Sequence, residues 1–126
     1  MSGNIKVLLS EDNDDIRKIL SMRLEVAGYS VMQARDGEET MDIVKKSPPD
    51  VIILDLMMPK ISGFEVCRML KFDERYKDIP IIVLSALDRQ KDREKAFETG
   101  ADAYFIKPFD LGLLINKIET VTQKRG

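Results

Sequence analysis

Val51-Ile52-Ile53-Leu54-Asp55 is an apolar run without alternation that stops on a carboxylate. Such a run suits a strand covered on both faces, as in a parallel sheet flanked by helices. Other runs also end near reactive side chains. Ile5–Leu9 leads to Glu11 and Asp12, Ile81–Leu84 leads to Ser85, and Ala103–Ile106 leads to Lys107. In a parallel α/β sheet the strand C-termini share one edge, and ligands bind in the crevice outside it. Carboxylates, a hydroxyl and an ammonium should therefore converge from distant parts of the chain. That is a site for a divalent cation and a phosphoryl group.

Between these runs lie amphipathic stretches. Asp14 or Asp15 can cap a helix whose Ile16, Ile19, Leu20, Leu24 and Ala27 follow helical spacing, and Gly28 stops it. Tyr29–Ala34 reads as an edge-like strand, and Asp36-Gly37 turns into a short helix through Met41 and Val44 that ends before Pro48-Pro49. Pro59 and Gly63 precede a helix carrying Val66, Cys67 and Leu70. The 88–99 stretch is a heavily charged helix with little beyond Ala96 and Phe97 to bury, closed by Gly100. Leu111, Leu114, Ile115, Ile118 and Val121 give the last helix a core stripe. Five β/α units with right-handed crossovers follow, as a doubly wound α/β sheet with helices on both faces.

Composition narrows the class. The 126 residues suit one domain with a real core, about 5–121, and 44% apolar with 33% charged residues is a globular balance. The net charge of −2 lacks the basic footprint of a nucleic-acid binder, and the terminal Lys124-Arg125 is too short to supply one. The lone Cys67 rules out an intrachain disulfide and fits a reducing compartment. No apolar run reaches the roughly 20 residues of a membrane helix, and the early first strand leaves no room for a signal peptide, so a soluble cytoplasmic protein is expected. Only Gln123–Gly126 follow the last helix, so no effector domain is expected after it; a free-standing protein and a domain cut from a longer chain both fit.

The acidic stretch Glu11-Asp12-Asn13-Asp14-Asp15 has two readings. Capping and the helix dipole account for Asp14 and Asp15. Glu11 and Asp12 sit at a strand end beside Asp55, where carboxylates repel unless a cation neutralises them. Hard oxygen ligands suit Mg²⁺. A carboxylate such as Asp55 can attack phosphorus to form an acyl phosphate, a reaction that needs positioning and charge neutralisation above all. Ser85 offers a hydrogen-bond donor. Lys107, between Phe105-Ile106 and Pro108-Phe109, is costly unless its charge is paired. The isomer of the bond to Pro108 is left open. Tyr104, expected on the strand face of Lys107, reads equally as a packing aromatic or as part of the site.

These residues resemble the receiver domains of two-component response regulators over essentially the whole chain, from Ile5 to about Val121. The motifs are Leu8-Leu9-Ser10-Glu11-Asp12-Asn13, Asp50-Val51-Ile52-Ile53-Leu54-Asp55-Leu56-Met57-Met58-Pro59, Ile81-Ile82-Val83-Leu84-Ser85-Ala86 and Gly100-Ala101-Asp102-Ala103-Tyr104-Phe105-Ile106-Lys107-Pro108-Phe109. The resemblance implies a flavodoxin-like fold of strand order 2-1-3-4-5 with five helices. It implies Asp55 as phosphoacceptor, taking its phosphoryl group from a kinase phosphohistidine. Mg²⁺, with Mn²⁺ as a substitute, would be held by Asp12, Asp55 and the Met57 carbonyl, with Glu11 helping through water. Lys107, Ser85 and the Ala86 amide would hold phosphoryl oxygens. Ser85 and Tyr104 resemble the switch pair that alters the face of the 88–99 helix, fifth strand and last helix toward a protein target. The implied partners are a histidine kinase or phosphotransfer protein and that target, with no nucleic acid or membrane, as a monomer or phosphorylation-dependent dimer.

Some positions depart from the commoner pattern. Ser10 stands where a buried aliphatic is usual, either finding a backbone partner or weakening its strand. Glu11 replaces the more frequent Asp. Ala103 stands where winged-helix members carry an acid, against their symmetric active dimer. Two rivals remain: a haloacid-dehalogenase-type phosphohydrolase, which looks for an acid where Met57 stands, and a nucleotide or flavin module, which lacks its glycine cradle here. Beyond its own phosphoryl transfer and hydrolysis, no enzymatic activity is expected. Met57 and Leu87 cannot hold a hydrolytic water, so slow self-dephosphorylation is predicted. Met57→Asn should shorten the phosphoryl lifetime, read by the decay of labelled protein; an unchanged lifetime would contradict this.

Overall fold

The computed structural model describes residues 4–123; Lys124-Arg125 lie outside the described residues. The strands are β1 (Lys6–Ser10), β2 (Ser30–Ala34), β3 (Val51–Leu54), β4 (Ile81–Ser85) and β5 (Ala103–Ile106). They alternate with helices α1 (Asp14–Val26), α2 (Gly37–Lys46), α3 (Gly63–Lys71), α4 (Gln90–Glu98) and α5 (Leu111–Gln123). All strand pairs are parallel and the order is β2-β1-β3-β4-β5, the expected flavodoxin-like topology.

Strand alternation divides the continuous apolar runs between two cores. Leu8, Ile52, Leu54 and Val83 face Val44 of α2, Val66 and Leu70 of α3, and Ala96 of α4. Val7, Leu9, Ile53, Ile82 and Leu84 face Leu20 and Leu24 of α1 and Leu114 and Ile118 of α5. Most of these side chains are fully buried. Each contributes about 1.5–3 kcal/mol over leaving it in water, and it is this layer that fixes where the strands end.

The helix starts are set locally, with one correction to the expected caps. The α1 cap is Asn13, whose Oδ1 accepts from the Ile16 amide at 2.9 Å, while Asp14 and Asp15 sit in the first turn. An Asn in extended backbone just before the turn reaches that amide, whereas residues already helical cannot. Asp36 caps α2 by accepting from Glu39 N, and Ser62 caps α3 by accepting from Glu65 N. The buried face of α1 also differs from the expected stripe. Arg17, Leu20, Ser21 and Leu24 are buried, while Ile16, Ile19 and Ala27 are exposed. Ile16 and Ile19 instead line a groove of about 380 Å³ with Leu20, Arg23, Phe109 and Leu111. In α4 the interior side holds Asp92 and Ala96, and Phe97 is 44% exposed rather than buried.

Ser10 is fully enclosed, and its partner is a side chain instead of the backbone. Its hydroxyl lies 2.7 Å from that of Thr40, which in turn lies 2.8 Å from the Asp36 carbonyl. Thr40 has a single proton, and giving it to Asp36 leaves Ser10 as donor to Thr40. β1 and α2 are thereby tied together beneath the crevice.

Gly63 opens α3 hard against the end of β3. A Cβ there would lie 2.3 Å from the Asp55 carbonyl oxygen and 2.6 Å from Leu56 Cα, both backbone atoms that cannot step aside. Gly63→Ala should lower stability by about 3 kcal/mol, at the upper end of ordinary overpacking. Urea unfolding checks this, and a loss no larger than that of an exposed helix substitution would refute the close approach.

Candidate functional site

The crevice at the C-terminal edge of β1, β3, β4 and β5 is assembled by backbone first. Asp55 N donates to the Ser10 carbonyl at 3.0 Å, locking the end of β3 to the end of β1. Glu11 N donates to the Ala34 carbonyl at the end of β2, and Lys107 N donates to the Ser85 carbonyl at 2.9 Å. Glu11, Asp12, Asp55 and Lys107 are thus each the first or second residue beyond a paired strand, and Ser85 is the last residue of β4. Glu11, Asp12 and Asp55 each bring a carboxylate oxygen within 4.8 Å of the others, with Glu11 and Asp55 buried and Asp12 exposed. Repulsion between such carboxylates is offset by a cation, and Lys107 supplies one. Its Nζ donates to Glu11 Oε1 and, at 3.3 Å, to Asp55 Oδ2.

Lys107 is mostly buried, and burial by itself works against its charge. The Glu11 and Asp55 carboxylates outweigh that and hold its pKa above the ordinary value. The pairing balances ions that would otherwise be stranded out of water; it is not a large net gain in stability. One ammonium against three carboxylates still leaves excess negative charge. The Asp12 carboxyl registers it: burial first, then its hydrogen bond and repulsion with Glu11, raise its pKa above 3.8. Hard oxygen donors, excess negative charge and an exposed side open to solvent are what a small divalent cation requires, and the residues fit Mg²⁺.

The remaining site residues fall around this centre. Met57 follows β3 with its side chain 58% exposed, and its N–H donates to Asp55 Oδ1 at 3.1 Å. Ser85 is fully buried and its Oγ accepts from Leu87 N at 3.1 Å. Ala86 is exposed at the end of β4. Tyr104 is half-buried, its hydroxyl donates to the Leu87 carbonyl at 2.7 Å, and the Arg93 guanidinium lies over its ring. Burial pushes that hydroxyl's pKa up, so it stays a donor. The expectation that Tyr104 shares a strand face with Lys107 is not carried by their spacing, which is odd, and Lys107 lies beyond the last residue of β5. It is the reach of the phenol to Leu87 that links Tyr104 to Ser85. The Lys107–Pro108 peptide, left open by the sequence, is cis.

Arg17 is the residue that sequence reasoning missed. Its guanidinium is buried beneath the acidic loop and donates to the Glu11 carbonyl at 2.9 Å. The signal was its place in the 17, 20, 21, 24 stripe, passed over because arginine reads as solvent-facing.

A five-stranded parallel sheet in this order, with its polar crevice at the strand C-termini, defines a flavodoxin-like α/β domain. Residues 7–119 match the family described as the response regulator receiver domain, and the chain belongs to that family. The match excludes both rival readings. Among curated proteins it is 40% identical over 119 residues to the DNA-binding dual master transcriptional regulator RpaA of Synechocystis sp., covering 94% of this chain and 49% of that protein. The chain thus spans about half the length of the curated relatives it matches. Among solved structures it resembles the receiver domain of Francisella response regulator 1452, with TM-score 0.90, 29% identity and coverage of 98% and 100%. The receiver domain of a Pseudomonas aeruginosa sensor histidine kinase, solved with magnesium in its active site cleft, has TM-score 0.88, 28% identity and coverage of 97% and 99%. Receiver domains are signalling proteins of two-component systems that act through phosphorylation and bind Mg²⁺ at this acidic pocket. Among the described residues no helix is long and apolar enough to cross a membrane.

A carboxyl whose pKa is raised on folding holds its proton more tightly in the folded state. Asp12 therefore opposes folding of the metal-free protein once pH passes its raised pKa, and stops doing so below 3.8. Asp12→Asn should raise the melting temperature in EDTA at pH 7 and remove most of the further rise that Mg²⁺ gives the parent. Calorimetry with and without Mg²⁺ checks both, and a variant melting lower than the parent in EDTA would contradict the crowding.

Proposed function

We propose that Asp55 is the phosphoacceptor, receiving its phosphoryl group from the phosphohistidine of a sensor histidine kinase or a phosphotransfer protein. The observation that carries this is Lys107, whose ammonium contacts both Asp55 and Glu11 within the oxygen cluster. An Asp55 oxygen attacks phosphorus as the P–N bond to the donor imidazole breaks, and the electron pair leaves with that nitrogen. Met57 N–H holds one carboxylate oxygen, which leaves the group oriented for in-line attack. Lys107, the Ser85 hydroxyl and the Ala86 amide would hold phosphoryl oxygens. Asp12, Asp55 and the Met57 carbonyl would bind Mg²⁺, with Glu11 acting through water, and Mn²⁺ suits the same oxygen donors. When bound, Mg²⁺ neutralises charge gathered on the carboxylate and phosphoryl oxygens. The domain's chemistry is limited to its own phosphoryl transfer and hydrolysis.

The output reading rests on Leu87. Its amide is held by Ser85 and its carbonyl by Tyr104. When Ser85 turns its proton toward a phosphoryl oxygen, the loop leading into α4 must readjust along with the Tyr104 hydroxyl. The α4-β5-α5 face then presents a changed surface to a downstream protein, in a cytoplasmic molecule that is monomeric or dimerises on phosphorylation.

Treatment with acetyl phosphate and Mg²⁺ should add one phosphoryl group to the peptide containing Asp55, located by mass spectrometry after borohydride trapping. Asp55→Asn should abolish it. An adduct on another residue, or one independent of Mg²⁺, would refute the assignment.

A further inference from the structure

Arg17 occupies the inward face of α1 beside Leu20, Ser21 and Leu24, with its side chain only 7% exposed. An apolar residue would fill this face at no electrostatic cost, whereas a buried guanidinium must have its donors met. They are met in one place. Nη1 donates to the Glu11 carbonyl at 2.9 Å, Nη2 to Asp14 Oδ1 at 2.7 Å and Nε to Gln33 Oε1 at 3.2 Å. Gln33 in turn donates to Ser21 Oγ, so the guanidinium is braced from both α1 and β2.

The consequence falls on Asp12. Its upstream neighbour is pinned at both ends of its backbone, the amide by Ala34 and the carbonyl by Arg17. Its downstream neighbour is pinned too, since Asn13 N donates to Glu11 Oε2 at 3.0 Å. Asp12 is thus an exposed side chain on a backbone fixed from either side, and of these ties only the one from Arg17 reaches the peptide that joins Glu11 to Asp12. We propose that Arg17 is a positioning residue for the divalent-cation site, orienting the Glu11–Asp12 peptide so that the Asp12 carboxylate is presented before the ion arrives. This rests on reading Glu11, Asp12 and Asp55 as the cation's oxygen donors. Groups beyond the ligands that fix their orientation commonly control affinity to this extent.

The test is a Mn²⁺ titration followed by water-proton relaxation, together with amide hydrogen exchange in the metal-free protein. Arg17→Met should weaken Mn²⁺ binding roughly tenfold and speed exchange at Asn13. Leu20→Ala, a cavity on the same helix face that leaves the loop untouched, should lower stability and leave Mn²⁺ affinity unchanged. If Arg17→Met does not fold, Arg17→Lys carries the test: it keeps the charge without the forked donors, and a smaller loss in the same direction is expected. Parent-like Mn²⁺ affinity in Arg17→Met or Arg17→Lys overturns the proposal. So does an equal loss in Leu20→Ala, which would make general stability the cause. A parent protein that binds no Mn²⁺ would instead overturn the reading of the acidic cluster itself.

Discussion

The Lys107 ammonium, lying between the Glu11 and Asp55 carboxylates, is the interaction on which the site depends. Both carboxylates are almost wholly enclosed, where a charge is costly unless it is paired, and this ammonium pairs with each of them. The three residues come from β1, β3 and β5, which are brought to one edge only because every strand runs parallel and every crossover returns to the same end. The two apolar layers supply the rigidity. They hold the strand ends at a spacing where one side chain can bridge the others, which is why chemistry and fold cannot be separated in this domain.

The balance of charge is deliberately incomplete in its effect. Lys107 leaves the crevice negative, and Asp12 on its rim faces solvent with its pKa raised. A site neutralised fully by its own residues would have no use for a cation. A site with no lysine would leave its two buried carboxylates without a counter-charge. The burial of Asp12 and Asp55 follows the same asymmetry: one is open to solvent, the other enclosed and in contact with Lys107 and the Met57 amide.

The sheet and the reactive strand ends were legible because they rest on local pattern: uninterrupted apolar runs, each closed by a polar residue. What the sequence concealed depends on distance or on rotation. Thr40 meets Ser10 across 30 positions, and nothing near Ser10 announces it. Isoleucines 16 and 19 share helical spacing with Leu20 and Leu24 but lie on the adjoining edge, so periodicity alone chose too wide a stripe. Arg17 was hidden by the opposite bias, a charged residue on an inward face, and Asn13 by the stronger acidic candidates beside it. Phe97 was placed inside only because α4 offers so few apolar residues, whereas the helix packs through Ala96 and lets the ring lie open.

That poverty gives α4 a distinct mechanical character. Side chains fasten the first turns of α1, α2 and α3, but Arg89 makes no such bond at the start of α4. Few apolar contacts and an end without a cap, tied by a side chain only through Arg89 to Asp92, are the marks of an element that yields before its neighbours do. The domain therefore has a stiff flank and a compliant one, with Ser85, Leu87 and Tyr104 at the seam. On the proposed switching of Ser85, a single turned hydroxyl would be absorbed where resistance is least, and that would set the direction in which news of the crevice travels.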